Sequence, residues 1–193
     1  MNSLLDRMVN YILSNQVVSA DKEAWLRYGL EKRIYTLLVY IPFSILAVLL
    51  AGFWTAVFFM VSFFYLRSKT NGIHAQSAIA CVFGSILLEL LFLGLVSPYL
   101  NEISIVVLIA ISLVIVYLLA PYNHPNMNLT SEEHIACKKI SQIRATQLAF
   151  LVVLLISCGL IEIAKGISLG YTMASALLGL AYISDWRIIE WKK

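Results

Sequence analysis

A run without a single charged residue, from Ile34 to Leu66, places the strongest constraint on how this chain folds. A helix needs about 20 apolar residues to cross the hydrocarbon core of a bilayer. The run is too long for one such helix and barely long enough for two. The tetrapeptide AGFW at 51–54 places a glycine near its middle. We therefore predict a tight helical hairpin that turns there.

The composition indicates that the whole chain, and not this run alone, belongs to a membrane protein. Of its 193 residues, 61% are hydrophobic and only 13% are charged, whereas a soluble domain carries about 25% charged and 45–50% apolar residues. So little charge cannot cover a water-soluble surface. We expect an all-α, polytopic integral membrane protein with about six transmembrane helices. Residues 1–33 lack the apolar core and cleavage site of a signal peptide, so none is expected.

Further apolar stretches predict the remaining spans, at about 78–96, 103–119 and 147–164, with a sixth that ends near Ser184. The segment SPYLN at 97–101 breaks the third span from the fourth. Gly166 and Gly170 are expected to flank the turn into the sixth span.

The segment APYNHPNMN at 120–128 is rich in proline and asparagine, which is typical of a loop. Thr130, followed three residues later by Glu133, has the spacing of a capping box and predicts a helix start. That helix begins polar, with SEEHIACKKISQIR, and is expected to continue into the fifth span.

The N-terminal segment shows a helical repeat of apolar residues at spacings of three and four: Leu4, Leu5, Met8, Tyr11 and Ile12. One interpretation is one or two amphipathic helices that lie on the membrane surface. The alternative is a solvated helical arm that packs on the rest of the protein.

The distribution of positive charge predicts the orientation. Of the 14 lysines and arginines, only Lys165 falls outside residues 1–33, the 67–77 loop, the 120–147 loop and the 185–193 tail. With six spans these four regions share one side, which the positive-inside rule makes cytoplasmic. We expect a single membrane domain with spans between 34 and 184 and both termini in the cytoplasm. Four spans with re-entrant segments is the alternative.

The stretch NGIHAQSAIAC at 71–81 contains a histidine, His74, and a cysteine, Cys81, at the edge of the third span. A thiol becomes a strong nucleophile when a base takes its proton or positive potential lowers its pKa. His74 is a candidate base. Arg67, Lys69 and the N-terminal end of the third helix supply positive potential.

The spacing of this pair requires a bend in the chain. On one straight helix, residues seven apart share a face but lie about 10.5 Å apart along the axis. Proton transfer needs heavy atoms about 2.6–3.2 Å apart. Asn71 and Gly72 tolerate positive φ, so we predict a turn there that lets His74 fold back toward Cys81.

The segment RSKTNGIHAQSAIAC resembles the signature of the accessory gene regulator protein B (AgrB) family, the membrane peptidases of Gram-positive quorum sensing. The matching positions are Arg67, Gly72, His74, Ala75 and Cys81. LLAPYNHPN at 118–126 is similar to the family's loop before its last two spans. One departure is MN at 127–128, where many members carry Lys-Pro.

The resemblance implies a chemistry and its residues. Family members cut a short propeptide and close its central part into a thiolactone or lactone. Carried over, Cys81 is the nucleophile, His74 its general base, and Arg67 and Gly72 supporting positions. The family also implies a propeptide with an amphipathic leader, contact with the lipid bilayer and a homodimer. Gln76 and Ser77, with backbone amides at the start of the third helix, are candidate oxyanion donors.

Two other features have alternative interpretations. His134 and Cys137 share a helix face near His124 and could form a zinc site, but structural zinc takes four ligands and a solvated helix start is the simpler interpretation. Glu89 lies deep in the third span, where ionisable residues are costly and often functional. It can pair with an arginine, hold its proton or line a cavity. It is about 80° around the helix from Cys81.

The sequence therefore predicts a membrane cysteine endopeptidase that processes and cyclises a signalling propeptide. Two alternatives are a polytopic peptide exporter without covalent chemistry and a catalytically silent membrane scaffold. No phosphate-binding loop, paired carboxylates or nucleic-acid signature appears, and we expect no cofactor and no metal.

Overall fold

The computed structural model describes residues 2–15, 23–72, 78–123 and 129–190, and these residues form helices and short connections without a strand. The all-helical class is confirmed. In chain order the helices are α1 (Asn2–Ser14), α2 (Glu23–Ala51), α3 (Phe53–Thr70), α4 (Ala78–Glu89), α5 (Glu102–Leu119), α6 (Ser131–Ser157) and α7 (Ile161–Glu190). The chain divides into two compact units, Met1–Phe43 and Ser44–Lys193.

Within the first unit, the apolar face of α1 is only partly buried, since Met8 and Tyr11 are exposed. Leu5 and Val9 pack with Leu26 of α2 in a small hydrophobic cluster. Asp6 and Arg27 form an ion pair beside it, with 2.7 Å between the carboxylate and guanidinium. This packing joins α1 to the start of α2, and both interpretations of the N-terminal segment stay predictions.

The predicted break at AGFW is confirmed, while the tight hairpin stays a prediction. Gly52 interrupts the two helices with φ of 78°, a value that favours glycine. Its amide donates to the Val48 carbonyl at 2.9 Å, and its carbonyl accepts the Ala56 amide at 3.0 Å. The helix before the turn is longer than the predicted span, because the polar residues from Glu23 onward continue it without a break.

The break after the third span is also confirmed. α4 is followed by a π-helical segment, Leu90–Val96, and a single 3-10 turn, Ser97–Tyr99, that contains Pro98. Asn101 then caps α5: its side-chain oxygen accepts the Ser104 amide at 2.9 Å. Asparagine is among the preferred residues at this position because its side chain satisfies an otherwise free helix amide.

α6 begins at the predicted capping box. The Thr130 hydroxyl accepts the Glu133 amide at 3.3 Å, and the Glu133 carboxylate accepts the Thr130 amide at 2.9 Å. The polar start and the apolar span form one continuous helix that ends at Ser157, seven residues before the predicted end of the fifth span.

The predicted turn at Gly166 and Gly170 is wrong. The chain turns instead at Gly159, which has φ of 74°. Its amide donates to the Ile156 carbonyl, and the Leu160 amide donates to the Leu155 carbonyl, both at 2.9 Å. This is the Schellman pattern, which ends a helix at a glycine. Gly166 and Gly170 lie inside α7, where both are buried.

These two glycines allow α7 to pack directly against the backbone of α3. A Cβ atom on Gly166 would lie 3.1 Å from the Thr55 carbonyl carbon, and one on Gly170 would lie 3.0 Å from that of Phe59. Small residues four apart are typical of close helix pairs in membranes. The Thr55 hydroxyl strengthens the contact by donating to the Glu162 carboxylate at 2.9 Å.

α7 is the central helix of the second unit, since it packs against α3, α5 and α6. Within the described part of the chain, three helices are long and apolar enough to cross a membrane: α5, α6 and the part of α7 from Ile161 to Ser184. Two shorter apolar helical stretches, Tyr40–Ala51 and Phe83–Tyr99, are also present in the described residues. Six full spans and the orientation of the termini stay predictions.

Replacing Gly170 with alanine is expected to destabilise the fold by about 1–3 kcal/mol, because the added methyl group meets the α3 backbone. The loss is measured as a lower thermal unfolding temperature in detergent. Gly179→Ala is the matched control in the same helix, since no atom lies within 4 Å of its Cβ position. Equal unfolding temperatures for the two variants would contradict the close approach of α3 and α7.

Candidate functional site

The predicted site residues are only partly within the described structure. His74, Gln76 and Ser77 lie outside it, in the segment between residues 72 and 78. The backbone of Cys81 lies in the first turn of α4, but its side chain is also outside the described part. The approach of His74 to Cys81 therefore stays a prediction. The structure describes the residues on either side of this segment, up to Gly72 and from Ala78.

The chain leaves α3 through the predicted turn. The helix ends at Thr70, and the next two residues have positive φ, 56° at Asn71 and 133° at Gly72. One correction concerns Arg67, which was expected in a loop and instead lies in the last turn of α3. The helix continues beyond the apolar run because basic residues near a helix C-terminus are favoured by the dipole.

Arg67 and Gly72 are neighbours in space. The Arg67 guanidinium donates to the Asn71 carbonyl. A Cβ atom on Gly72 would collide with that guanidinium and lie 3.0 Å from the Leu177 carbonyl oxygen of α7. Because Gly72 has no side chain, Arg67 can fold over the turn while the turn rests on α7. The two supporting positions of the motif thus form one local structure.

The second segment singled out in the sequence meets this turn. The Tyr122 amide donates to the Thr70 carbonyl at 3.0 Å, and the Asn71 side-chain amide donates to the Tyr122 carbonyl at 3.3 Å. Tyr122 follows Pro121, whose peptide bond with Ala120 is cis. The residues after α5 are therefore hydrogen-bonded to the residues after α3.

The C-terminal half of α7 supports this junction from behind. The buried ring of Tyr122 packs edge-to-face on Tyr182, with 5.3 Å between the ring centroids. The Tyr182 hydroxyl donates to the Leu119 carbonyl at 2.8 Å, which satisfies a carbonyl at the end of α5. One aromatic pair thus fixes both the end of α5 and the residue that holds Asn71.

In the sequence, Arg144 is only one of several positive charges on the predicted cytoplasmic side, whereas in the structure it has a specific position. From α6 it donates to the Tyr65 carbonyl at 2.6 Å and to the Ser68 hydroxyl at 2.7 Å. Its guanidinium also lies 4.4 Å from the centroid of the Tyr65 ring. The Tyr65 hydroxyl in turn donates to Gln147 at 2.8 Å. α6 therefore holds the last turns of α3.

Glu89 is fully buried, and neither carboxylate oxygen has a hydrogen-bond partner among the described residues. It is the last residue of α4 before the π-helical segment, and such segments are frequent at functional sites. Its predicted role in lining a cavity stays a prediction.

The other candidate residues are those of the possible zinc site. His134 and Cys137 are in the first turns of α6, while His124 is outside the described residues. Among the residues the structure describes, no three His, Cys, Asp or Glu side chains converge as metal ligands. Cys158 is the exposed C-cap of α6, because the turn at Gly159 ends the helix there.

These observations define an all-helical membrane protein in which two connecting segments meet beside the end of α3. The chain belongs to the accessory gene regulator B (AgrB) family, whose model matches residues 5–179. No curated protein and no solved structure matches it. Membership assigns the chain, at the level of the family, to the processing of quorum-sensing propeptides.

Two replacements of Asn71 separate the two contributions of this residue. Both Asn71→Gly and Asn71→Ala remove the hydrogen bond to Tyr122, whose contribution is about 1 kcal/mol. Only alanine adds the strain of positive φ, about 1–3 kcal/mol. The alanine variant should therefore unfold at a lower temperature than both the glycine variant and the parent chain. Identical unfolding temperatures for the two variants would show that the turn is not held at positive φ.

Proposed function

We propose that the chain is a membrane cysteine endopeptidase that removes the C-terminal part of a quorum-sensing propeptide and cyclises the remainder. Cys81 is the nucleophile and His74 the general base. The observation that carries the proposal is the junction at Asn71 and Tyr122, where the two segments that resemble the family are joined by hydrogen bonds. Membership of the AgrB family supports it independently.

The first step is an acyl transfer. His74 takes the proton of the Cys81 thiol, and the sulfur attacks the carbonyl carbon of the scissile peptide bond. The protonated imidazole then gives its proton to the leaving amine as the carbon–nitrogen bond breaks. The C-terminal fragment departs, and the rest of the propeptide is held on Cys81 as a thioester. Gln76, Ser77 or the first amides of α4 are the proposed donors to the oxyanion.

The second step closes the ring. A thiol or hydroxyl group within the bound peptide attacks the thioester carbon and transfers its proton to His74. The carbon–sulfur bond to Cys81 breaks, and the sulfur recovers a proton from His74. A thiol nucleophile yields a thiolactone and restores one thioester for another, so this step should be reversible. Exclusion of water from the site favours cyclisation over hydrolysis.

The positions of Cys81 on α4 and of the turn after α3 support this chemistry. Cys81 lies in the first turn of α4, where the helix dipole favours a thiolate. The turn that leads toward His74 is held by Arg67 and Tyr122 and rests on Leu177. A reaction that needs proton transfer over about 3 Å gains from such a fixed approach.

We also propose where the protein lies in the cell and what it binds. Both termini face the cytoplasm of a Gram-positive cell, and the chain crosses the membrane about six times as a homodimer. The substrate's amphipathic leader lies on the same cytoplasmic surface, beside the positively charged ends of the helices. A peptide exporter without covalent chemistry and a silent scaffold are the competing functions, and each predicts no cleavage.

Replacing Cys81 with alanine should abolish cleavage of a synthetic propeptide by proteoliposomes, a loss on the order of 10⁴-fold or more, because no acyl-enzyme can form. Mass spectrometry measures both the released C-terminal fragment and the thioester adduct. His74→Gln should leave the thiol in place and suppress both signals.

Cys137→Ala and Cys158→Ala are the matched controls, since these free cysteines lie at the start and the end of α6. Both should retain cleavage and the adduct. Cleavage that survives Cys81→Ala would refute the mechanism. Uptake of intact, labelled propeptide into the vesicles without a fragment would favour the exporter.

A further inference from the structure

An open groove of about 520 Å³ runs along one face of α6 beside α5. Its lining comes from Tyr117 of α5 and, on α6, from Lys139, Gln142, Ile143, Thr146 and Phe150. All of these residues lie outside the junction at Asn71. The groove is on the surface of a helix long and apolar enough to cross a membrane, so its natural surroundings are lipid.

The two ends of the lining differ in character. Lys139 is at the polar end of the groove, and Phe150 is about three helical turns, or about 16 Å, further along α6. Gln142 and Thr146 lie between them, and Ile143 and Phe150 present exposed apolar side chains. A positive charge at one end and an exposed aromatic ring at the other, with polar and apolar side chains between them, match a phospholipid with its phosphate at Lys139 and an acyl chain toward Phe150.

The hydrogen bonds within the groove show which groups remain available. The Thr146 hydroxyl donates to the Gln142 carbonyl at 2.9 Å, and it lies 2.8 Å from the Tyr117 hydroxyl. Because a hydroxyl has one proton, Tyr117 must then donate to Thr146. The ammonium of Lys139 and the side-chain amide of Gln142 are left as donors. A positive charge and an amide donor side by side suit an anionic ligand.

The charges near the groove have the same sign at its polar end. Lys138 precedes Lys139, and the acidic residues nearest along α6, Glu132 and Glu133, are about two turns earlier. No acidic side chain lines the groove among the described residues. Basic pockets between membrane helices on the cytoplasmic side commonly bind anionic headgroups.

We propose that this groove binds one anionic phospholipid, with its phosphate at Lys139 and Gln142 and one acyl chain along Ile143 and Phe150. Gln147 also lines the groove and accepts the Tyr65 hydroxyl. A bound lipid therefore packs beside the contact that joins α6 to the last turns of α3. The site does not depend on the peptidase mechanism, and its test does not use cleavage.

The test measures lipid retention by the full chain, purified in detergent with phosphatidylglycerol or phosphatidylcholine and analysed by native mass spectrometry. The parent chain should retain one phosphatidylglycerol and be stabilised against heat by it. Lys139→Gln should weaken retention about fivefold, the contribution of one lysine near an anionic lipid. Ile143→Trp, which fills the groove with a larger side chain, should also reduce retention.

Lys138→Gln is the matched control. It also removes one positive charge, but the Lys138 side chain does not line the groove, although it is the next residue to Lys139. It should retain the lipid as the parent chain does. Equal losses in the two lysine variants would overturn the site in favour of general surface attraction. Equal retention of phosphatidylcholine would refute selection for an anion. Disulfide cross-linking between two chains through Ile143→Cys would assign the groove to a second copy instead.

Discussion

The close approach of α3 and α7 is the contact on which the rest of the second unit depends. Between helices in lipid there is no hydrophobic force of the kind that drives folding in water, so direct packing and polar contacts decide the pairing. Gly166 and Gly170 remove the side chains that would separate the two backbones. The hydrogen bond from Thr55 to Glu162 fixes the same pair beside Gly166. Further along α7, the Leu177 carbonyl supports Gly72, so the helix that organises the fold also positions the turn beside the candidate site.

Local signals in the sequence were sufficient for most helix ends. A glycine in a charge-free run predicted the turn at Gly52, and the spacing of Thr130 and Glu133 predicted the start of α6. Both depend on interactions within a few residues. The same reasoning failed at Gly166 and Gly170, because glycine ends helices in water but marks close packing when it recurs every four residues in a membrane helix. Only the partner surface on α3 distinguishes the two cases, and that surface is far away in the chain.

Local sequence signals likewise predicted only part of the candidate site. Arg67 and Gly72 were recognisable because they belong to one short motif, and positive φ at Asn71 followed from the residue types. The contributions of Tyr122, Arg144 and Gln147 could not be recognised in the sequence, because each acts through a partner on another helix or segment. Arg144 in particular looks like any cytoplasmic arginine in the sequence. Its position against the Tyr65 carbonyl requires the packing of α6 on α3, which no local pattern specifies.

The end of α3 is consequently held by three separate parts of the chain. Arg144 binds its last turns from α6, Tyr122 pairs with Thr70 and Asn71 from the segment after α5, and α7 supports Gly72. A turn fixed in this way has little freedom to change the direction in which the chain continues toward His74. Groups that are held in place before the substrate arrives lose less entropy in the reaction. A cyclisation in particular depends on this, because the bound peptide must meet its own thioester before water does. The long-range contacts around α3 thus support the proposed chemistry by holding the turn that precedes the site.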